Sequence, residues 1–270
     1  MVGNIKLHEI INIAIKAGNR ILEIYQTVDF EVQTKQDDSP LTIADKKSNE
    51  VITKELTTLY PEIPILSEEG IHLSYEERKM WEYLWLVDPL DGTKEFIKKN
   101  GEFTVNIALI EKEKPVLGVI YAPVLDTVYF SKEGVGSFKL EKVSEYLKTG
   151  RDLIELANRL PLNVEKENTK VIASRSHMSK ETKEYVNVLK KKVGEVDIIS
   201  IGSSLKLCKV AEGEADIYPR FAPTMEWDTA AGQAIVEHSG GKVIHTDSEE
   251  SLRYNKENLF NPWFIAKMNA

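Results

Sequence analysis

The segment WLVDPLDGTKEF, residues 85–96, sets two carboxylates, Asp88 and Asp91, around a Pro-Leu pair directly after an apolar run. Pro89 restricts the backbone on both sides of itself, so both carboxylates and the Leu90 carbonyl can turn toward one point. Such a cluster of hard oxygens suits Mg²⁺. Gly92 removes a side chain where the backbone must approach a ligand closely, and Thr93 opens a predicted helix, so the N–H groups around Gly92 to Lys94 form a seat for an anion. Metal and phosphate could meet there. Taken alone, however, Asp-Pro and Asp-Gly are ordinary turn dipeptides and Thr93 an ordinary helix cap, so this segment reads equally as a turn or as a site.

Two more acidic elements shift the balance. Ser67-Glu68-Glu69-Gly70 closes an earlier short apolar run, and Glu226-Trp227-Asp228-Thr229-Ala230-Ala231-Gly232 opens a helix in the second half of the chain. Other chemistries lack their signatures: the single cysteine and five histidines make no nucleophile–base motif, and the P-loop, HExxH and GxSxG patterns are absent. P-loop kinases and serine esterases are thereby excluded.

The elements that must position these groups follow from periodicity. Leu7, Ile10, Ile11, Ala14, Ala17, Ile21 and Ile24 recur at helical spacing, and a second helix follows Thr42 and stops before Pro61. Ile65 to Ser67 and Tyr83 to Val87 read as strands ending in acidic residues. FTVNIALI, PVLGVIYAPV, TVYF and VGSFKL then form an antiparallel meander. Polar, helix-favouring sequence from Lys142 to Asn168 marks a boundary between an N-terminal α+β half, 1–141, and a C-terminal α/β half, 142–270. In the latter, the strands VIAS, DIISI, ADIYPRF and KVIHT alternate with helices over 180–191, 204–211 and 229–239.

Composition bounds the rest. A chain of 270 residues, 42% hydrophobic and 29% charged, is a folded soluble protein with length for one large domain or two ordinary ones. A net charge of −8 repels a nucleic-acid backbone, so no nucleic-acid partner is expected. No run approaches the roughly 18–20 apolar residues of a membrane span. One cysteine, Cys208, fits a reducing, cytoplasmic compartment, and its apolar surroundings, Leu205 to Ala211, read as core.

Together, the Glu-Glu step, D-P-L-D-G-T and W-D-T-A-A-G, in this order between Asp45 and Gly241, resemble the inositol-monophosphatase-like superfamily of magnesium-dependent, lithium-sensitive phosphatases. Within it, DPLDGTKEFIKKNGEFTVNIALI, SRSH at 174–177, GSSLK at 202–206 and YPRF at 218–221 are most similar to the bacterial 3′(2′),5′-bisphosphate nucleotidases. The resemblance implies an α/β fold, a layered α-β-α-β-α sandwich of the sugar-phosphatase type. It implies that Glu68, Asp88, Asp91, Asp228 and the Leu90 carbonyl hold two or three Mg²⁺ ions. Asp45, Glu68 and Thr93 would be catalytic, with Thr93 bonded to Asp45 and helping to deprotonate the attacking water. Gly92, Thr93, His177, Ser203, Lys206, Arg220 and Asp228 would contact substrate.

The implied reaction is direct attack of a metal-bound water on the 3′-phosphate of adenosine 3′,5′-bisphosphate, giving AMP and phosphate and clearing a by-product of sulfate activation. Inositol monophosphatase or fructose-1,6-bisphosphatase activity on the same metal site is the alternative, and a non-catalytic metal- or nucleotide-binding regulator the reading from another class. Oligomeric state is open between monomer and homodimer. The individual residues also have plain readings: Lys206 as a solvated helix face, Arg220 as an ion pair with Glu226, Trp227, Tyr218 and Phe221 as packing. The stretch from Lys139 to Val164, with a predicted helix in RDLIELANRL, is longer than expected of the family and reads as a surface addition, a dimer contact or a lid.

Overall fold

A computed structural model describes residues 2–27, 33–34, 40–71, 73–165, 167–173 and 178–269. Two long helices come first, α1 (Leu7–Tyr25) and α2 (Ile43–Leu59), with a two-stranded antiparallel ribbon, β1 (Gln33–Thr34) and β2 (Pro40–Leu41), between them. The helical spacing predicted for α1 is the spacing of its buried face: Leu7, Ile10, Ile11, Ala14, Ala17 and Ile21 all pack inward. Thr42 caps α2, accepting from Ala44 N–H at 3.2 Å while its own N–H donates to Asp45 at 2.8 Å. That reciprocal arrangement starts the helix where the sequence predicts it.

The first sheet has seven strands: β3 (Ile65–Ser67), β4 (Tyr83–Asp91), β5 (Thr104–Glu111), β6 (Lys114–Ala122), β7 (Thr127–Lys132), β8 (Gly136–Glu141) and β9 (Asn158–Arg159). They neighbour one another in chain order, β3 parallel to β4 and the rest antiparallel. Short helices α3 (Tyr75–Arg78), α4 (Thr93–Ile97), α5 (Val143–Leu147) and α6 (Leu153–Leu156) fill its connections. The second sheet takes β10 (Thr169–Ile172), β11 (Val196–Ile199), β12 (Ile217–Arg220), β13 (Gly241–His245) and β14 (Phe264–Met268) in the order β11-β10-β12-β14-β13. With α7 (Lys180–Val193) against β11 and β12, and α8 (Leu205–Glu212) and α9 (Glu226–His238) between the sheets, the layers run α-β-α-β-α. One apolar core lies between α1, α2 and the large sheet, another around α8 and α9.

One expectation needs correction. The helix predicted over 151–160 is only the single turn of α6, and β9 after it pairs with β8. Leu153 is buried in the first core and Leu160 in the second, where its N–H also donates to Ser137 O at 2.8 Å, and these contacts outweigh the helix preference of the polar residues around them. Strand β14, for which the sequence pattern gives no signal, sits between β12 and β13 and joins them. Among the described residues no helix is long and apolar enough to cross a membrane.

The small residues of W-D-T-A-A-G have a packing role. A Cβ on Gly118 of β6 would stand 2.4 Å from the Ala231 carbonyl oxygen, and one on Gly232 would stand 2.3 Å from Leu207 Cδ1. Helix α9 therefore lies directly on the large sheet and against α8. Because the obstruction at Gly118 is backbone, Gly118→Ala is expected to cost about 1–3 kcal/mol through overpacking. Thermal unfolding of the variant should show a Tm lower by several degrees; an unchanged Tm would mean that helix and sheet are not in this contact.

Candidate active site

Strand β4 carries the D-P-L-D segment out of the core, and at its end the pairing with β5 slips. Asp88 faces Asn106 and Asp91 faces Thr104, so three steps on β4 match two on β5. Pro89 lacks the N–H that a regular ladder would need there, and the resulting bulge re-aims the groups around it. Ser48 Oγ donates to the Pro89 carbonyl at 2.7 Å, and Leu90 N–H donates to Asp88 Oδ1 at 3.1 Å. Gly92 follows with φ +93°, a conformation that favours glycine, and caps α4. Beside this turn Glu68 N–H donates to Val87 O at 3.1 Å, which carries the chain from β3 along β4 and sets Glu68 next to Asp88.

Asp45 and Asp228 arrive from helices, and by the same local device. Each is the third residue of its helix and accepts from the N–H of the cap, Asp45 from Thr42 at 2.8 Å and Asp228 from Met225 at 2.9 Å. Asp45 Oδ2 also takes the Thr42 hydroxyl at 2.6 Å, leaving Oδ1 for Thr93 Oγ1 at 3.3 Å. The structure thus brings Glu68, Asp88, Leu90, Asp91, Gly92, Thr93 and Asp228 onto one cleft of about 380 Å³, with Asp45 behind Thr93.

The electrostatics of this cleft are those of crowded negative charge. Burial, and then the charges of Glu68, Asp91 and Asp228, push the Asp88 carboxyl well above the ordinary carboxylate range. Burial, with the Asp91 and Glu68 charges, raises Asp228 to about 8 against the opposing Met225 N–H and Arg220. Asp45 rises to about 6, again chiefly by burial, against the hydrogen bonds from Thr42. Among the described residues no three Asp, Glu, His or Cys side chains close into a ready-made chelate. What stands there is an open, all-oxygen donor set with Asp91 Oδ1 and Asp228 Oδ1 lacking a hydrogen-bond donor among the described residues. That set fits a hard cation whose shell is completed by water and phosphate, and a cation would relieve the mutual repulsion.

Beyond Asp91 and Asp228 the cleft continues into a chamber lined by Ser203, Lys206, Tyr218 and Arg220. Lys206 Nζ donates to the Ser203 carbonyl at 2.9 Å and lies 6.0 Å from the centre of the Tyr218 ring, which is a wall of the chamber as well as packing. Arg220 does not pair with Glu226: that carboxylate is taken by Lys256 Nζ at 2.5 Å and by the Asn255 and Lys256 N–H groups. The guanidinium instead donates to Pro223 O at 3.0 Å, its charge acts on Asp228, and its Nε is buried without a partner among the described residues. A further pocket of mixed lining follows, sharing Lys206, Tyr218 and Arg220 with the chamber and walled by Ala173, Ile201 and Phe221 at the carboxyl ends of β10, β11 and β12 and by Ser179 and Thr182 of the α7 start. Crevices at carboxyl ends of strands are where open α/β sheets bind ligands. His177 lies outside the described residues.

Reading residue by residue missed Ser204, although GSSLK contains it. Its hydroxyl lies 2.6 Å from Asp91 Oδ2. Nothing local distinguishes it from Ser203; the contact exists only once β4 and α8 have met. Cys208, by contrast, is fully buried in the second core, as its neighbours predict.

A model of the Inositol monophosphatase family matches residues 6–266. The chain is 48% identical to the 3′(2′),5′-bisphosphate nucleotidase CysQ of Salmonella typhimurium, over 96% of this chain and 98% of that one. It is 46% identical to the protein of the same name from Escherichia coli strain K12, with the same shares. Among solved structures, CysQ from Bacteroides thetaiotaomicron superposes with a TM-score of 0.85 at 50% identity, covering 96% of both chains. The IMPase of Thermotoga maritima shares the fold at a TM-score of 0.72 and 24% identity, over 95% of this chain and 89% of that one.

The raised carboxyls make stability depend on pH. Each holds its proton more tightly folded than unfolded, so it contributes nothing below an unfolded pKa of about 4 and costs stability progressively as pH rises from there. For Asp45 that window ends near 6 and for Asp228 near 8. In EDTA, Tm should fall between pH 5 and 8, and added Mg²⁺ should raise it more at pH 8 than at pH 5, because binding displaces protons. Scanning fluorimetry reads both; a Mg²⁺ response independent of pH would contradict the charge crowding.

Proposed function

We propose, starting from a chain that belongs to the inositol monophosphatase family of metal-dependent phosphatases, that it hydrolyses the 3′-phosphate of adenosine 3′,5′-bisphosphate to AMP and phosphate. One observation carries the choice of substrate: a cationic chamber, with Lys206 and Arg220, opens directly off the carboxylate cleft and leads to a pocket of mixed lining whose apolar walls are Ala173, Ile201 and Phe221. A nucleoside bisphosphate needs those three environments in that order, for its scissile phosphate, its second phosphate and its base. An inositol monophosphate has no use for the last two.

In this reading Glu68, Asp88, Asp91, Asp228 and the Leu90 carbonyl hold Mg²⁺, two or three ions with substrate bound. When bound, the ions neutralise the phosphate, stabilise the leaving oxygen and make water acidic enough to react. The chain's own groups do the rest. Thr93 Oγ1, at the cleft edge, accepts a hydrogen bond from the attacking water and passes its own proton toward Asp45 Oδ1, 3.3 Å away. A carboxylate with a pKa near 6 is a suitable acceptor near neutral pH. Asp45 stays oriented for this because both Thr42 groups bind its other oxygen. The Arg220 guanidinium, with its Nε unused, and the Lys206 ammonium receive the second phosphate, the former through two parallel hydrogen bonds. Catalysis is then positioning and charge stabilisation, without a covalent intermediate on the protein. The single cysteine is in keeping with a cytoplasmic place of work.

Phosphate release from adenosine 3′,5′-bisphosphate, inositol 1-phosphate and fructose 1,6-bisphosphate, measured in one Mg²⁺ buffer, should favour the nucleotide in kcat/KM by about tenfold or more. A preference for either of the others overturns the substrate, and turnover of none of them favours a binding protein. Arg220→Gln should raise KM for the bisphosphate about tenfold or more while adenosine 3′-monophosphate is hydrolysed nearly as before, since only the former loses a charge-assisted contact.

A further inference from the structure

Ser204 precedes α8, two residues before Lys206, and the reaction above makes no use of it. It is buried where four elements meet. Its Oγ lies 2.6 Å from Asp91 Oδ2 at the end of β4 and 2.8 Å from the main-chain oxygen of Asp228 in α9, and it accepts from Asn106 Nδ2 on β5 at 2.8 Å. Asn106 is itself fixed, because its Oδ1 accepts from Thr104 Oγ1 at 2.9 Å and the side chain is buried. Its amide can therefore only donate toward Ser204. The one serine proton is left for the two acceptors, and the carboxylate is both the nearer and the charged one.

From this geometry we infer that Ser204 is a positioning residue: it holds Asp91 Oδ2 so that Oδ1 faces the cleft, and it ties the cation side of the site to α8, which carries Lys206. The inference rests on the reading of Asp91 as a cation ligand given above. It predicts that a hydroxyl whose hydrogen bonds all run to protein atoms governs cation affinity. Partners that orient metal ligands in this way typically change affinity by about 10–100-fold when removed.

The test uses the full chain and two readouts: the Mg²⁺ concentration at half of the Mg²⁺-induced rise in Tm, which requires no turnover, and kcat and KM for adenosine 3′,5′-bisphosphate. Ser204→Ala should raise the Mg²⁺ midpoint about 10–100-fold and lower kcat at subsaturating Mg²⁺, with KM changed by less than about threefold. Ser204→Cys, which keeps the shape but donates weakly, should shift the midpoint in the same direction and serves if the alanine variant does not fold. Ser204→Thr retains the hydroxyl and should restore the midpoint. Ser137→Ala removes another buried hydroxyl bond, 2.6 Å to the Ile235 carbonyl, and should lower Tm without moving the midpoint. In an Asp91→Asn background, Ser204→Ala should add almost nothing. An unchanged midpoint in folded Ser204→Ala or Ser204→Cys, or a full additional loss in the Asp91→Asn background, overturns the inference. A wild-type protein that responds to Mg²⁺ but turns over no nucleotide defeats the substrate reading instead, and the midpoints still decide the role of Ser204.

Discussion

Several negative charges buried in one cleft form the constraint on which the rest of the structure turns. Asp88 is almost wholly removed from water and Asp228 lines the cleft, and each has its proton affinity raised by burial and by the charges of Glu68 and Asp91. A fold selected for stability alone would not gather them. They are tolerated because each is tied down by groups that do not cancel its charge: Leu90 N–H for Asp88, Met225 N–H for Asp228, Ser204 for Asp91, and the Thr42 cap for Asp45. Arg220 is the cation that acts on Asp228, and it stands on the substrate side. The result is a rigid frame of oxygens with an electrostatic deficit, which a divalent ion and a phosphate ester are suited to fill.

Rigidity of this kind has to come from packing, since the carboxylates repel one another. The first set is delivered by strands β3 and β4, held from behind by α1 and α2. Asp228 is delivered by α9, which lies between the sheets and reaches the cleft only because Gly118 and Gly232 let it approach β6 and α8 closely. The same compression sets α8 beside α9, so the chamber-lining Ser203 and Lys206 and the carboxylate-tying Ser204 lie within about one turn of chain. The motif W-D-T-A-A-G thus couples cleft and packing within six residues: the aspartate lines the cleft, and the alanines and glycine put it there.

Much of this is legible in the order of residues because it is local. Asp-Pro-Leu-Asp followed by Gly-Thr dictates a bulge, a positive φ and a helix start, and T-x-x-D before α2 dictates a cap that turns Asp45 inward. Helical and strand periods identify the faces of α1 and the strands of the meander. The region from Lys142 to Leu160 misleads for the converse reason. Its polar residues favour helix locally, whereas two buried leucines and a two-residue strand bind it to the first sheet, an interaction between segments rather than within one. FIAKM is a short run in a polar tail, and its central place between β12 and β13 is likewise a matter of partners.

The sequence by itself therefore determined which oxygens are available, the local turns that present them, and the family to which the chain is compared. Only the tertiary structure decided that Asp228 shares a cleft with Asp88, that Glu226 is occupied by Lys256 so that Arg220 faces the cleft, and that Ser204 rather than a neighbour holds Asp91. The physical reason is range. Backbone sterics and capping act over about four residues and are written in adjacent letters, whereas hydrogen-bond partners and charge neighbours across a fold are selected by the packing of whole sheets and helices, where two serines side by side in sequence meet different atoms.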